Sequence, residues 1–391
     1  MIDGWKKKSV GDIADVVTGK TPPTSDRTNY GDHLPFVSPA DLGTYKYISK
    51  SEKHLSEKGA KKARILPVGT SLFTCIGSTI GKVGLTAVDL TTNQQINAAI
   101  PKNGSVNKEY LYYALCDIAP RVKRIAGVQA VPIINKTEFE NQIIYLPADI
   151  PEQKAIADLL STWDEAIEKT ERLIQAKEAN LKGQIQNLIS QRCDSWPHIK
   201  PKKIFDTITE KNFPEEELLS VTQDRGVIPR SMLEGRVMSP DGTTASYKLI
   251  KRGDFAISLR SFQGGIEYSN YQGIISPAYT VLRPKIELNR DFYRLFFKSY
   301  LFIEKYLNLA VIGIRDGKQI SIPDFLSIKI PVPPLEEQKE IAETLSVCQH
   351  EIDLLKQLKE KYKTQKRGLM QKMLTGEWRV KPEIVNQYME A

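Results

Sequence analysis

A repeat limits what this chain can fold into more than any other feature. Residues 150–161 read IPEQKAIADLLS and residues 335–346 read LEEQKEIAETLS. At a constant offset of 185 (337 − 152), eleven positions are identical. Glu152, Gln153, Lys154, Ile156, Ala157, Leu160, Ser161, Ile167, Leu173, Gly183 and Gln186 match Glu337, Gln338, Lys339, Ile341, Ala342, Leu345, Ser346, Ile352, Leu358, Gly368 and Gln371. The alignment runs without a gap from Glu152 to Gln186. A fixed offset of this kind marks a duplicated unit.

Both copies read as long helices. Proline precedes or opens each one, at Pro151 and at Pro331, Pro333 and Pro334, and none interrupts before Pro197 and Pro382. Apolar residues recur at steps of three and four, or of seven, in the first copy: Ile156, Leu160, Trp163, Ile167, Ile174, Leu181 and Leu188. The second copy offers Ile341, Leu345, Cys348, Ile352, Leu355, Tyr362, Leu369 and Met373. That spacing is a helix-pair seam with polar breaks at Lys177 and Lys366. At about 1.5 Å per residue each helix is on the order of 55–60 Å long. The second copy is acidic first (Glu336, Glu337, Glu340, Glu343, Glu351, Asp353) and basic last (Lys356, Lys359, Lys361, Lys363, Lys366, Arg367, Lys372). The first copy carries a weaker form of this gradient. An antiparallel pair sets acid against base, so an antiparallel pair is expected.

The blocks before the helices share an order of elements but few letters. Each opens at a tryptophan, with WKKKSVGDIADV from Trp5 and WPHIKPKKIFDTI from Trp196. Short β-branched or aromatic runs follow, punctuated by Gly, Pro and Asn. In block one these are LPFVSPADL, TSLFTCIGSTIGKVGLTAV and NAAIPK; in block two, ELLSVTQ, DFAISLRSFQGGIEYS and AYTVLRPK. Helical patches come next, VNKEYLYYALCDIA and LNRDFYRLFFKSYLFIEKYL, then Gly- and Gln-bearing loops and the closing strands QIIYLP and LSIKIPVPP. The expected fold class is α+β: two mixed α/β domains separated by two long antiparallel helices, as a pseudo-two-fold internal repeat. The expected boundaries are 1–150 for the first domain, 151–192 for the central helix, 193–334 for the second domain, 335–376 for the last helix and 377–391 for a tail.

Composition excludes several classes. No run of about 18 apolar residues exists, so no membrane span and no membrane partner are expected. The start lacks the long apolar run of a secretory signal. Four scattered cysteines, Cys75, Cys116, Cys193 and Cys348, fit a reducing cytoplasm better than a disulfide framework or a zinc site. The four histidines have no metal spacing. GSTIGKVG (Gly77–Gly84) has three residues between its first two glycines where a phosphate loop has four, and Val83 where Ser or Thr would bind magnesium. No dinucleotide fingerprint follows a strand. Neither a catalytic nor a metal site is expected, and no cofactor on this chain.

Polar binding equipment remains. Net charge is +8, which permits a polyanionic partner. Candidate contacts are Lys20, Thr21, Ser78, Thr79, Lys82, Gln94 and Gln95 in block one, and Arg225, Arg260, Gln263, Tyr279, Arg315 and Lys318 in block two. Lys and Arg suit phosphate or guanine, and Gln suits adenine.

With its halves laid out, the chain resembles the DNA-specificity subunit of type I restriction–modification systems. The resemblance rests on GWKKKSVGDIADVVTGKTP and SWPHIKPKKIFDTI, on IYLPADIPEQKAIADLLSTWDEAI and IKIPVPPLEEQKEIAETLSVCQHEIDLL, and on LIQAKEANLKGQIQNLIS and LMQKMLTGEWRV, up to about Arg379. It implies that each block is a target recognition domain reading one half of a bipartite site in double-stranded DNA. It also implies that the helices separate the blocks and dock two adenine-methyltransferase subunits, and through them restriction subunits. S-adenosylmethionine and ATP would then sit on the partners, the partner would flip the adenine, and this chain would be non-catalytic. The alternatives are a coiled-coil protein-interaction scaffold without DNA specificity, and the specificity subunit of a methylation-only complex.

Overall fold

The computed structural model describes residues 4–43, 45–127, 132–233, 244–260, 264–313 and 319–389. They form two compact units: unit 1 runs to Arg172 and resumes at Lys356, and unit 2 is Leu173–Leu355. The long helices span Ile150–Ile185 and Leu335–Met373, so each contributes residues to both units. Among the described residues no helix is long and apolar enough to cross a membrane.

In unit 1 the run TSLFTCIGSTIGKVGLTAV becomes two strands, Ser71–Thr74 and Val83–Thr86, joined by the glycine-bearing loop. They sit in a five-stranded sheet whose order is Ala14–Thr18, Ile96–Pro101, Ser71–Thr74, Val83–Thr86 and Tyr47–Ile48. All its neighbours are antiparallel except the last pair. Its strands Ser71–Thr74 and Val83–Thr86 are buried at every residue because both faces are covered. Phe73, Val83, Leu85 and Ala99 face the cluster that includes Tyr110, Leu111 and Leu115 of the helix Lys108–Ile125. Leu72 and Ala98 point the other way, toward Val37, Leu66 and Leu90 of a second sheet. That sheet has the order Lys53–Leu55, Tyr30–Val37, Leu90–Thr92, Ile65–Leu66.

The helix Lys108–Ile125 runs past Pro120, where VNKEYLYYALCDIA ends. A proline ring removes one backbone donor and crowds the carbonyl four residues earlier. Burial of Ile118, Ala119 and Val122 on either side of Pro120 carries the helix across that defect.

Unit 2 repeats the layout with different side chains. Its central sheet orders Phe205–Ile208, Tyr279–Pro284, Phe255–Ser258 and Glu267–Tyr268, all antiparallel. Phe205, Phe255, Tyr293, Phe297 and Phe302 fill the core, with neighbouring ring centroids 4.8–6.0 Å apart. The segment LNRDFYRLFFKSYLFIEKYL splits into the helix Arg290–Phe296 and wide helical turns at Phe302–Tyr306.

The repeated Glu-Gln-Lys has a structural meaning that recurs in both units. Gln153 accepts a hydrogen bond from the Asn107 backbone N–H at 2.8 Å and donates to the Pro147 carbonyl at 2.9 Å. Gln338 accepts from the Asn289 N–H at 2.8 Å and donates to the Pro333 carbonyl at 2.8 Å. Asn107 and Asn289 in turn cap the helices that follow them. One buried amide thus ties the closing segment, the packed helix and the start of the long helix together. Only 1% of Gln153 and 2% of Gln338 is exposed, so an unmade bond there would have no water to replace it.

The helices pair antiparallel within each unit. In unit 1 Asp164 pairs with Lys366, Glu171 with Lys359 at 2.6 Å, and Trp163 lies edge-on to Tyr362 at 5.8 Å. In unit 2 Lys177 pairs with Glu351 at 2.8 Å, Cys348 donates to Gln184 at 3.2 Å, and Arg192 reaches Glu337 at 3.4 Å. Of the seam residues, Ile156, Leu160, Ile174, Leu181, Ile341, Leu345, Ile352 and Met373 are buried, and Trp163, Ile167, Leu188, Cys348, Leu355, Tyr362 and Leu369 are half-buried.

Candidate nucleic-acid interface

In unit 1 the strand register decides which loops meet. Thr18 pairs with Asn97, Ile96 with Thr74, and Phe73 with Val83. The loops after Thr18, before Ile96 and between Thr74 and Val83 therefore share one end of the five-stranded sheet. All seven candidates of block one lie on them.

Hydrogen bonds knit this end together. The Gly19 and Lys20 N–H groups donate to the carbonyls of Ile96 and Thr92, at 3.0 and 2.9 Å. A Cβ at Gly19 would fall 2.0 Å from the Asn93 carbonyl, so this approach needs glycine. Thr21 donates its hydroxyl to Gln94 Oε1 at 2.5 Å, leaving the Gln94 amide donors without a protein partner among the described residues. The Cys75 N–H donates to the Gln95 carbonyl at 2.8 Å, and Asn93 Nδ2 donates to Gln95 Oε1 at 2.9 Å. Burial pushes the Cys75 thiol up to about 12, so it packs as an apolar group. Ser78 is exposed and Thr79 half-buried, and Lys82 donates its ammonium to the Pro39 carbonyl at 3.0 Å. The Lys20 ammonium is exposed, with no partner among the described residues.

Sequence reasoning missed the segment 56–64, SEKGAKKAR. It packs on the loop that follows Thr21: Ser56 donates to the Thr28 carbonyl at 2.7 Å, Lys62 to Asn29 Oδ1 at 2.8 Å and Arg64 to the Thr18 carbonyl at 2.6 Å. Lys58 pairs with Asp26 at 3.0 Å, and hydrogen bonds from Thr28 and Lys58 hold the Asp26 carboxyl below its ordinary range. Arg64 thus borders the same end of unit 1, and Lys58, Lys61 and Lys62 cluster beside the loop at residues 26–29. The signal was present as a local run of cations, and only its distance along the chain from Lys20 hid it.

Unit 2 presents the corresponding end. Ser258 pairs with Tyr279, and the Ile320 N–H donates to the Leu259 carbonyl at 2.8 Å. Arg260 is exposed just beyond, and Tyr279 is half-buried at the strand start. Arg225 tops a separate hairpin, where its guanidinium donates to the Met232 carbonyl at 3.1 Å. That hairpin touches the loop after Arg260, because a Cβ on Gly264 would stand 3.0 Å from Gln223 Cγ. Gln263, Arg315 and Lys318 lie outside the described residues. Among the described residues no group of three or more His, Cys, Asp or Glu side chains is placed to hold a metal.

Two related units, each with polar loops gathered at one sheet end and joined to a shared helix pair, are now matched by comparison. Residues 2–178 and 239–364 match the model of the type I restriction modification DNA specificity domain. The chain belongs to that family. Among curated members, the MjaIX specificity subunit of Methanocaldococcus jannaschii is 36% identical over 43% of this chain and 40% of its own length. The MjaVIII specificity subunit of the same organism is 26% identical over 97% of this chain and 94% of its own length. The fold matches the type I restriction–modification S subunit from M. genitalium with a TM-score of 0.58 at 18% identity, covering 95% of this chain and 96% of that one. A chain from work on assembly of the type I R-M system gives 0.56 at 16% identity, covering 95% and 98%.

Proposed function

We propose that this chain is the DNA-reading subunit of a type I restriction–modification assembly. Unit 1 reads one half of a split, asymmetric site through Lys20, Thr21, Ser78, Thr79, Gln94 and Gln95. Unit 2 reads the other half through Arg225, Arg260 and Tyr279. Lys58, Lys61, Lys62 and Arg64 meet phosphates beside the first half-site. The paired helices dock two methyltransferase subunits, and restriction subunits join through these. S-adenosylmethionine and ATP are bound by those partners, and the chain itself performs no bond chemistry.

The observation that carries this reading is the recurrence of one sheet end in two units with different polar letters. A duplicated scaffold with identical reading loops would favour a symmetric site, whereas divergent loops favour an asymmetric one. The test is a genome-wide map of methylated adenine in host cells with and without the gene. Loss of methylation at one split motif is expected. Unchanged methylation, with the neighbouring methyltransferase expressed, would leave the scaffold role as the better account.

A further inference from the structure

Unit 1 contains a cleft of about 590 Å³ between the loop ending at Lys82 and the base-rich end of the second long helix. Five cations line it: Lys46, Lys82, Lys363, Lys366 and Arg367. Two of them are committed inside the protein, because Lys46 is ion-paired with Glu109 and Lys366 with Asp164. The others are not. Lys363 leans on Glu360 at 2.9 Å, an exposed pair three residues apart and so a weak one. Lys82 donates to a neutral carbonyl, which leaves its charge uncompensated. Arg367 has no hydrogen-bond or ion-pair partner among the described residues. Asp117 also lines the cleft; burial pushes its carboxyl up and the nearby Arg121 opposes this.

The cleft is continuous with the reading end. The Lys82 N–H donates to the Thr79 carbonyl at 3.2 Å, so Lys82 closes a turn that begins at Thr79 and directly follows Ser78. A duplex seated on that turn brings its backbone to the cleft. The repeat keeps only one of these cations: the mates of Lys363, Lys366 and Arg367 are Glu178, Leu181 and Lys182.

We propose that this cleft holds a phosphate of the duplex backbone, with Lys82, Lys363 and Arg367 as its donors. The proposal rests on the DNA-reading function above and adds a sequence-independent grip in unit 1. Such a grip positions the duplex without specifying bases.

The test uses the assembled complex of this chain with its methyltransferase subunits, on a duplex carrying the mapped site and on a scrambled duplex of equal length. The double variant Lys363→Gln/Arg367→Gln is expected to weaken binding to both duplexes by the same factor. Its plot of log K against log salt should be shallower by roughly 0.9 for each phosphate that is no longer neutralised. The methylated motif should stay the same, and Arg367→Lys should keep most of the parent slope. Both substituted residues are exposed, and melting curves check that the fold persists. Specific binding by the parent with an unchanged slope in the double variant overturns the cleft and leaves the reading function standing. A parent complex that does not distinguish the two duplexes overturns both.

Discussion

Units 1 and 2 use one backbone plan and opposite chemistry where the helix pair meets the domain. In unit 1 a polar network lies beside the apolar contacts of Ile156, Leu160 and Met373. The Tyr113 hydroxyl donates to Asp164 at 2.7 Å, Lys366 pairs with the same carboxylate, and buried Lys46 reaches Tyr113 at 3.1 Å and Ser161 at 3.3 Å. The Lys46 ammonium also lies 4.5 Å from the Tyr113 ring centre. In unit 2 the mate of Lys366 is Leu181 and that of Asp164 is Gln349, and the neighbouring core is a cluster of phenylalanines. The same repeat positions thus carry a polar pair in unit 1 and a leucine and a glutamine in unit 2.

Removing one member of the unit 1 network gives the largest expected effect. Lys366→Ala takes from Asp164 its ion-pair partner and leaves it the Tyr113 hydroxyl, and should cost about 2–3 kcal/mol, less than the roughly 3–5 of a fully buried pair because both side chains keep some exposure. Copying the letters of unit 2, as Asp164→Gln with Lys366→Leu, should recover most of that loss. Denaturant unfolding of the single and double variants measures both, and a double variant no better than the single would show that the two layers are not interchangeable.

The glutamine clip is where the units agree. Gln153→Ala and Gln338→Ala should each cost about 1–3 kcal/mol by leaving a buried backbone N–H unpaired. Hydrogen exchange at Asn107 and Asn289 reads each one locally, and a large inequality would break the equivalence. The opening tryptophans should behave unequally. Trp196 donates its indole N–H to Glu337 at 3.0 Å, whereas the Trp5 N–H is buried with no acceptor among the described residues and Glu152 takes Arg379 instead, at 2.7 Å. Trp196→Phe should therefore cost about 1 kcal/mol more than Trp5→Phe, as judged from thermal unfolding.

The smallest effect is a pH dependence. Burial raises the Asp117 carboxyl, so between its unfolded and folded values the native state holds the extra proton. Stability should then fall as pH rises through that window, and Asp117→Asn should remove the fall. Unfolding free energies of both proteins from acid to neutral pH give the comparison, and parallel curves would contradict it.

The repeat made the helix pair legible, because apolar spacing and charge gradient both survive in single letters. The reading end of unit 1 was legible as a set of residue types, and strand register explains why the loops of Lys20, Ser78 and Gln94 share one sheet end. Lys46 was not legible, since nothing local distinguishes a buried lysine from a solvated one and its partners Glu109, Tyr113 and Ser161 are distant in sequence. The run past Pro120 was equally hidden, because tertiary burial outweighed a local helix breaker. Lys58, Lys61, Lys62 and Arg64 were visible as charge and became meaningful only once Arg64 was found on the Thr18 carbonyl.

The central claim is that each unit reads its own half-site, and one measurement meets it directly. Binding of the assembled complex is measured on duplexes in which every position of the mapped motif is changed in turn, for the parent, Gln94→Ala and Arg260→Ala. Gln94→Ala should relax discrimination by roughly 1–3 kcal/mol at positions in one half only, and Arg260→Ala at positions in the other half only. Relaxation by both variants in the same half, or across both halves at once, would contradict the account.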